Sequence, residues 1–166
     1  MKKEFKEEKR ANIDAGWEQG EAGLQQGERR TEQLQEVRSL IDSARSEARD
    51  EETKAYLDNL QQSYLQAGRE AYQREVKETV DSAHNDLEQN KDDMSVERYN
   101  VGNAINDVSS MQGVTELASA EARNVQKGLE NSANEYDAMI NQTNEIESAQ
   151  EARAQNIARR IESILG

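Results

Sequence analysis

From Val101 onward, a mostly apolar row recurs at every seventh position. This row reads Val101, Val108, Thr115, Ala122, Leu129, Tyr136, Thr143, Gln150, Ile157 and Ile164. A companion row three residues later reads Ala104, Met111, Ala118, Val125, Ser132, Met139, Ile146, Arg153 and Arg160. The row from Asn106 runs through Gly113, Ala120, Lys127, Asn134, Asn141, Ser148, Gln155 and Glu162 and has no large apolar member. One face of a helix therefore seeks a partner helix, and the opposite face seeks water. A further row, containing Ile105, Ala133, Ile140, Glu147, Ala154 and Ile161, widens the strip toward its end, which suits a bundle of three or more helices. The large residues of this strip are the candidate partner-binding residues: Val125, Leu129, Tyr136, Met139, Ile140, Ile146, Ile157, Ile161 and Ile164. The Ile157, Ile161, Ile164, Leu165 cluster is its most adhesive end. The same cluster also fits ordinary intramolecular core.

Upstream, the pattern is less regular. Gly16, Gly20, Gly23 and Gly27 stand at helical spacing beside Trp17. Such a row fits either a face for close helix approach or a weakly ordered arm, and each glycine costs a helix roughly 1 kcal/mol against alanine. The expectation is a flexible or weakly helical arm over 1–30. A helix is expected from Thr31, pausing near Arg49–Glu52, where Asp50 can cap the next one. A second long segment carries Leu57, Leu60, Tyr64, Gly68, Tyr72, Val76, Val80, Ala83 and Leu87. Its mean step exceeds a heptad's and predicts a fairly straight amphipathic helix. The stretch Asn90-Lys91-Asp92-Asp93-Met94-Ser95 breaks the pattern, which places the main turn near 90–96 with Ser95 as the next cap. The last helix should run on through a weak point at Gly113. The predicted fold is all-α: an elongated antiparallel helical hairpin, or coiled-coil-like bundle of three to four helices, over 31–166.

Composition narrows the function. The charged fraction is 33% and the net charge −13, with no proline and no cysteine. Leu, Ile, Val and Phe together fall below the roughly 20% at which a highly charged chain is expected to be disordered. The sustained periodicity argues instead for helices with a thin seam. A sequence pI near 4.6 argues against nucleic acid, because phosphate contacts need clustered Lys and Arg. No apolar run approaches a membrane span, and the start Met1-Lys2-Lys3-Glu4-Phe5 lacks the apolar stretch of a signal peptide. The localisation expected is cytoplasmic, or export without a cleaved signal. Without cysteine there are no disulfides or thiolate metal sites.

Candidate chemistry is sparse. Counted from Asp86, a calcium-type loop would take Asp86, Glu88, Asn90, Asp92 and Glu97 as oxygen ligands. Lys91 stands where that loop needs its glycine, and Asp93 where an apolar residue is usual. These residues are therefore a weak metal candidate. His84 is the single histidine and reads as a solvated surface residue. Tyr56, Tyr64 and Tyr72, spaced by eight, read as packing residues whose hydroxyls reach water. The residues form no acyl-transfer triad, histidine zinc site or P-loop, so no enzyme and no cofactor is expected.

In helix–turn–helix character and in its Gln/Ser/Ala-rich seam, the chain resembles the small substrates of type VII secretion systems. It departs from their Trp-x-Gly turn, since its tryptophan lies in Trp17-Glu18-Gln19-Gly20. Chemoreceptor signalling hairpins also have Ala/Ser/Gln-rich heptads, but their hairpin tip has no match here. The expectation from the residues is a non-enzymatic interaction or assembly module working through the heptad-patterned face, by self-association or with a protein partner. The alternative, implied by the resemblance, is a signal-less substrate or chaperone-like partner of a bacterial export machine.

Overall fold

A computed structural model describes the backbone of residues 2–111 and 116–166 and the side chains of 3–111 and 120–166. The protein is all-α, with helices packed as a bundle. Helix α1 spans Lys2–Glu47, α2 Glu51–Tyr72, α3 Glu78–Met111 and α4 Glu116–Leu165. A π-helical turn, Gln73–Lys77, joins α2 to α3 without a break. The expected run of one helix through a weak point at Gly113 falls on residues outside those described.

One helix boundary is set where the sequence places it. The chain leaves α1 at Glu47, and Asp50 caps α2 by accepting a 2.6 Å hydrogen bond from the Thr53 amide. Two other expectations are corrected. Residues 90–96 are not a turn but part of α3, with Met94 fully buried and Ser95 exposed in mid-helix. Nor are residues 1–30 a loose arm, since α1 begins at Lys2 and runs through Thr31. Thr31 is buried there, its hydroxyl donating to the Gly27 carbonyl at 2.8 Å.

The chain divides into two compact units, the first drawing on α1, α3 and α4 and the second on all four helices. The first comprises residues 1–15 and 85–146, the second residues 16–84 and 147–166. In the first unit, Ile13, Met94, Val101, Ala133, Tyr136 and Met139 form the core. Ion pairs and hydrogen bonds fix the helix directions. Arg98–Asp137 and Lys91–Asn144 set α3 antiparallel to α4, while Lys9–Asp93 and Asn12–Asn90 set α1 antiparallel to α3. Phe5 meets Tyr136 edge-on with ring centroids 6.2 Å apart, and Lys6 lies 5.2 Å from the Tyr136 ring centroid. Such aromatic and cation–π contacts, together with the burial of Ile13, pin the start of α1.

The second unit has its own core of Leu24, Leu34, Val76, Val80, Ala154, Ile157, Ile161, Ile164 and Leu165. Its glycines permit close approach. A Cβ on Gly23 would meet Thr79 and the Glu75 carbonyl, and one on Gly27 would strike Val76. Gly23 and Gly27 of the row that looked like an arm are therefore a packing face against the π-helical turn and the start of α3. That turn also accounts for the long mean step of the second segment. Gly68, Tyr72, Val76 and Val80 are separated by four residues each, and every such step rotates an ideal α-helix by about 40° away from its partner. An i→i+5 turn takes in extra chain and absorbs part of that drift.

Candidate docking groove

On α4, the heptad row from Val101 is the buried row. Ala122, Tyr136, Thr143, Gln150, Ile157 and Ile164 are all buried, and Leu129 half-buried. Its partner in the seam is the Ile105 row, in which Ala133, Ala154 and Ile161 are buried and Ile140 is half-buried. The companion row differs from expectation. Met139 is buried, Ser132, Ile146 and Arg153 are half-buried, and Val125 and Arg160 are exposed. A repeat that alternates steps of three and four can be read in either phase. The sequence reading paired the Val101 row with the companion row, whereas along α4 the Ile105 row is the more consistently buried of the two. The Asn106 row is exposed wherever its side chains are described.

This layout corrects the candidate partner-binding set. Tyr136, Met139, Ile157, Ile161 and Ile164 are buried among the chain's own helices, with Leu129, Ile140 and Ile146 packed against the same cores. Val125 alone of the nine is exposed, at 53%.

The weak metal candidate also falls. Asp86, Glu88, Asn90, Asp92 and Glu97 lie on the uninterrupted α3 helix, so they cannot wrap one ion as a loop would. The Asn90 amide is committed elsewhere: its Nδ2 donates to the Lys9 carbonyl at 3.0 Å, and its Oδ1 accepts from Asn12 at 2.9 Å. Among the described residues, no group of three His, Cys, Asp or Glu side chains could hold a metal, and no helix is long and apolar enough to cross a membrane.

A second buried amide, Gln150, stands on the Val101 row, but its partners were not legible there. Gln150 is 1% exposed, and its Nε2 donates to the Trp17 carbonyl at 3.0 Å. Its Oε1 lies 2.9 Å from Nε2 of His84. An amide oxygen can only accept, so His84 must carry its proton on Nε2. His84 is thus a half-buried positioning group for Gln150, not a solvated residue. Tyr72 similarly donates to the Ala154 carbonyl at 3.3 Å, and burial pushes its hydroxyl up from the ordinary value. Gln at a core heptad position and Asn in a presumed loop were visible in the sequence. What they bond to is set by α1, whose position the heptads of α4 do not encode.

One open space lies in the first unit, between the start of α1 and α4. A cleft of about 580 Å³ is lined by Lys3, Lys6, Glu7 and Arg10 on one side. Val125, Gly128, Leu129, Ser132 and Glu135 line the other. Gly20, Gly23, Gly27 and Gly68 each abut atoms of the chain that a Cβ would crowd, whereas a Cβ on Gly128 would meet nothing within 4 Å. Lys6 and Arg10 both reach Glu135, at 3.0 and 3.3 Å. The hydrogen bond from Lys6 holds the Glu135 carboxyl below the usual carboxylate range. Lys3 pairs with no carboxylate among the described residues. The groove thus has a short apolar and small-residue floor and a largely basic edge, a shape suited to cradling a helix. No protein-family model, curated protein or solved structure matches this chain, so its role rests on the chemistry of its own residues.

Proposed function

We propose that this chain is a non-enzymatic helical protein–protein interaction module that docks a partner helix in the groove between the start of α1 and residues 125–135 of α4. Two of the candidate partner-binding residues, Val125 and Leu129, form its apolar floor. The observation that carries the reading is Gly128. A glycine inside a helix costs roughly 1 kcal/mol against alanine. The glycines at 20, 23, 27 and 68 are explained by close packing within the chain, and Gly128 is not. A helix laid across it gives the missing Cβ a purpose, because it brings two backbones together. Helix-in-groove recognition of this kind uses apolar anchors on one stripe and polar edges for orientation.

The test is site-specific photo-crosslinking in the producing cell. A photoreactive residue at Val125 should give a discrete protein adduct that Gly128→Leu removes, while the same residue at the exposed Asn134 should give none. If Val125 yields no adduct, or the same adducts as Asn134, the groove is not a docking site.

A further inference from the structure

We infer that the helix received by this groove is acidic along its flank, the groove acting as a basic receptor on an otherwise acidic protein. This rests on the docking reading above and adds the partner's chemistry. The chain carries a net charge of −13, yet its first ten residues hold five basic side chains against three acidic ones. Three of the five, Lys3, Lys6 and Arg10, line the cleft, against two carboxylates, Glu7 and Glu135. Glu135 neutralises part of that charge, and Lys3 remains without a carboxylate among the described residues. The backbone adds to the imbalance. The N-terminal end of a helix carries partial positive charge, which favours acids and disfavours bases nearby. Here Glu4 is the acidic residue of the first turn, flanked by Lys2, Lys3 and Lys6.

An approaching helix with carboxylates along one edge would relieve both the unpaired side chain and the crowded helix end. A basic helix would meet like charge at the groove and be drawn to the acidic surface elsewhere. A second copy of this chain is the less suitable occupant. Two bodies of −13 repel, and the large apolar residues that would seat a helix are mostly buried in its own cores.

The experiment uses the full chain and two defined helical peptides of about 21 residues, or six turns. Both carry the same Leu/Ala stripe, one with Glu on its flanks and one with Lys. Fluorescence anisotropy should show the Glu peptide binding at least about tenfold more tightly at low salt, with the preference shrinking as salt shortens the Debye length to a few ångströms. Lys3→Glu should erase most of the preference. Gly128→Leu should abolish binding of the Glu peptide without lowering the melting temperature, since its side chain enters open space. If both peptides bind equally and Gly128→Leu abolishes both, the groove stands and the acidic partner is refuted. If neither peptide binds, or if the chain alone sediments as an oligomer that Gly128→Leu dissociates, the acidic-partner inference is overturned.

Discussion

The side chain of Gln150 occupies the space into which a Cβ on Gly20 would project. A residue with no side chain on α1 and a long polar one on α4 thus form one fitted contact, closed by the bonds from Gln150 to the Trp17 carbonyl and His84. Gly20→Ala should therefore destabilise the fold by about 1–3 kcal/mol, the usual cost of overpacking. In a Gln150→Ala background the same change should cost much less, because the obstructing atoms are gone. A double-mutant cycle in urea is the measurement, and additive effects would mean that the two residues do not share this space.

The glycines at 27 and 128 should respond to alanine with opposite sign. At Gly27 the new methyl would collide with Val76 in the second unit's core, so a loss of about 1–3 kcal/mol is expected. At Gly128 it meets nothing, so the gain in helix propensity of up to about 1 kcal/mol should appear as a raised melting temperature. A destabilised Gly128→Ala would mean that the groove is filled by the chain itself.

Ile157 and Ile161 belong to the core of the second unit, at 5% and 2% exposure. Ile157→Asp with Ile161→Asp should thus unfold that unit rather than release a partner, since unpaired carboxylates cannot be buried there without a large penalty. The paired changes Asn134→Asp and Asn141→Asp, at exposed positions, should leave circular dichroism and melting unchanged. A folded, merely dissociated Ile157/Ile161 double mutant would return these residues to an external interface.

The helical fold was legible because periodicity reports burial directly. The Val101 and Asn106 rows separate buried from exposed positions along α4. The N-cap Asp50 was legible because its chemistry is local, one side-chain oxygen meeting one amide. Residues 90–96 misled for a related reason. Asn90, Asp92, Asp93 and Ser95 favour turns when their polar groups find local partners, but Asn90 instead bonds across to α1 and Met94 is buried against it. The glycine row misled through propensity, because close packing against Glu75, Val76 and Thr79 outweighs a weak intrinsic preference. Of the cleft's lining, Val125 and Leu129 stand on heptad rows that the sequence displays. Lys3, Lys6 and Arg10 carry no such signal, because their side of the cleft is set by where α1 starts along α4.

Arg30 on α1 grips Glu75 of the π-helical turn with two hydrogen bonds, 2.7 Å from Nη2 to Oε1 and 3.3 Å from Nε to Oε2. The hydrogen bond from Arg30 holds the Glu75 carboxyl below its ordinary value of 4.5, against an opposing push from burial. A carboxyl lowered in the folded state stabilises the fold fully above the unfolded value and loses that contribution as pH falls through the folded one. Glu135 beside Lys6 and Glu162 beside Arg69 are lowered in the same direction. Acid also relieves the repulsion of a −13 chain, which works the other way. That repulsion acts over long distances and is screened beyond about 8 Å at physiological salt, whereas a bidentate contact is not. At such salt, stability should therefore fall as the pH drops below about 4.5, the carboxylate range. The stability gap between the native chain and Glu75→Gln, measured by urea unfolding, should be widest near neutrality and close across that window. A gap that stays constant from neutral to acid pH would show that the Arg30–Glu75 pair does not hold the π-helical turn against α1.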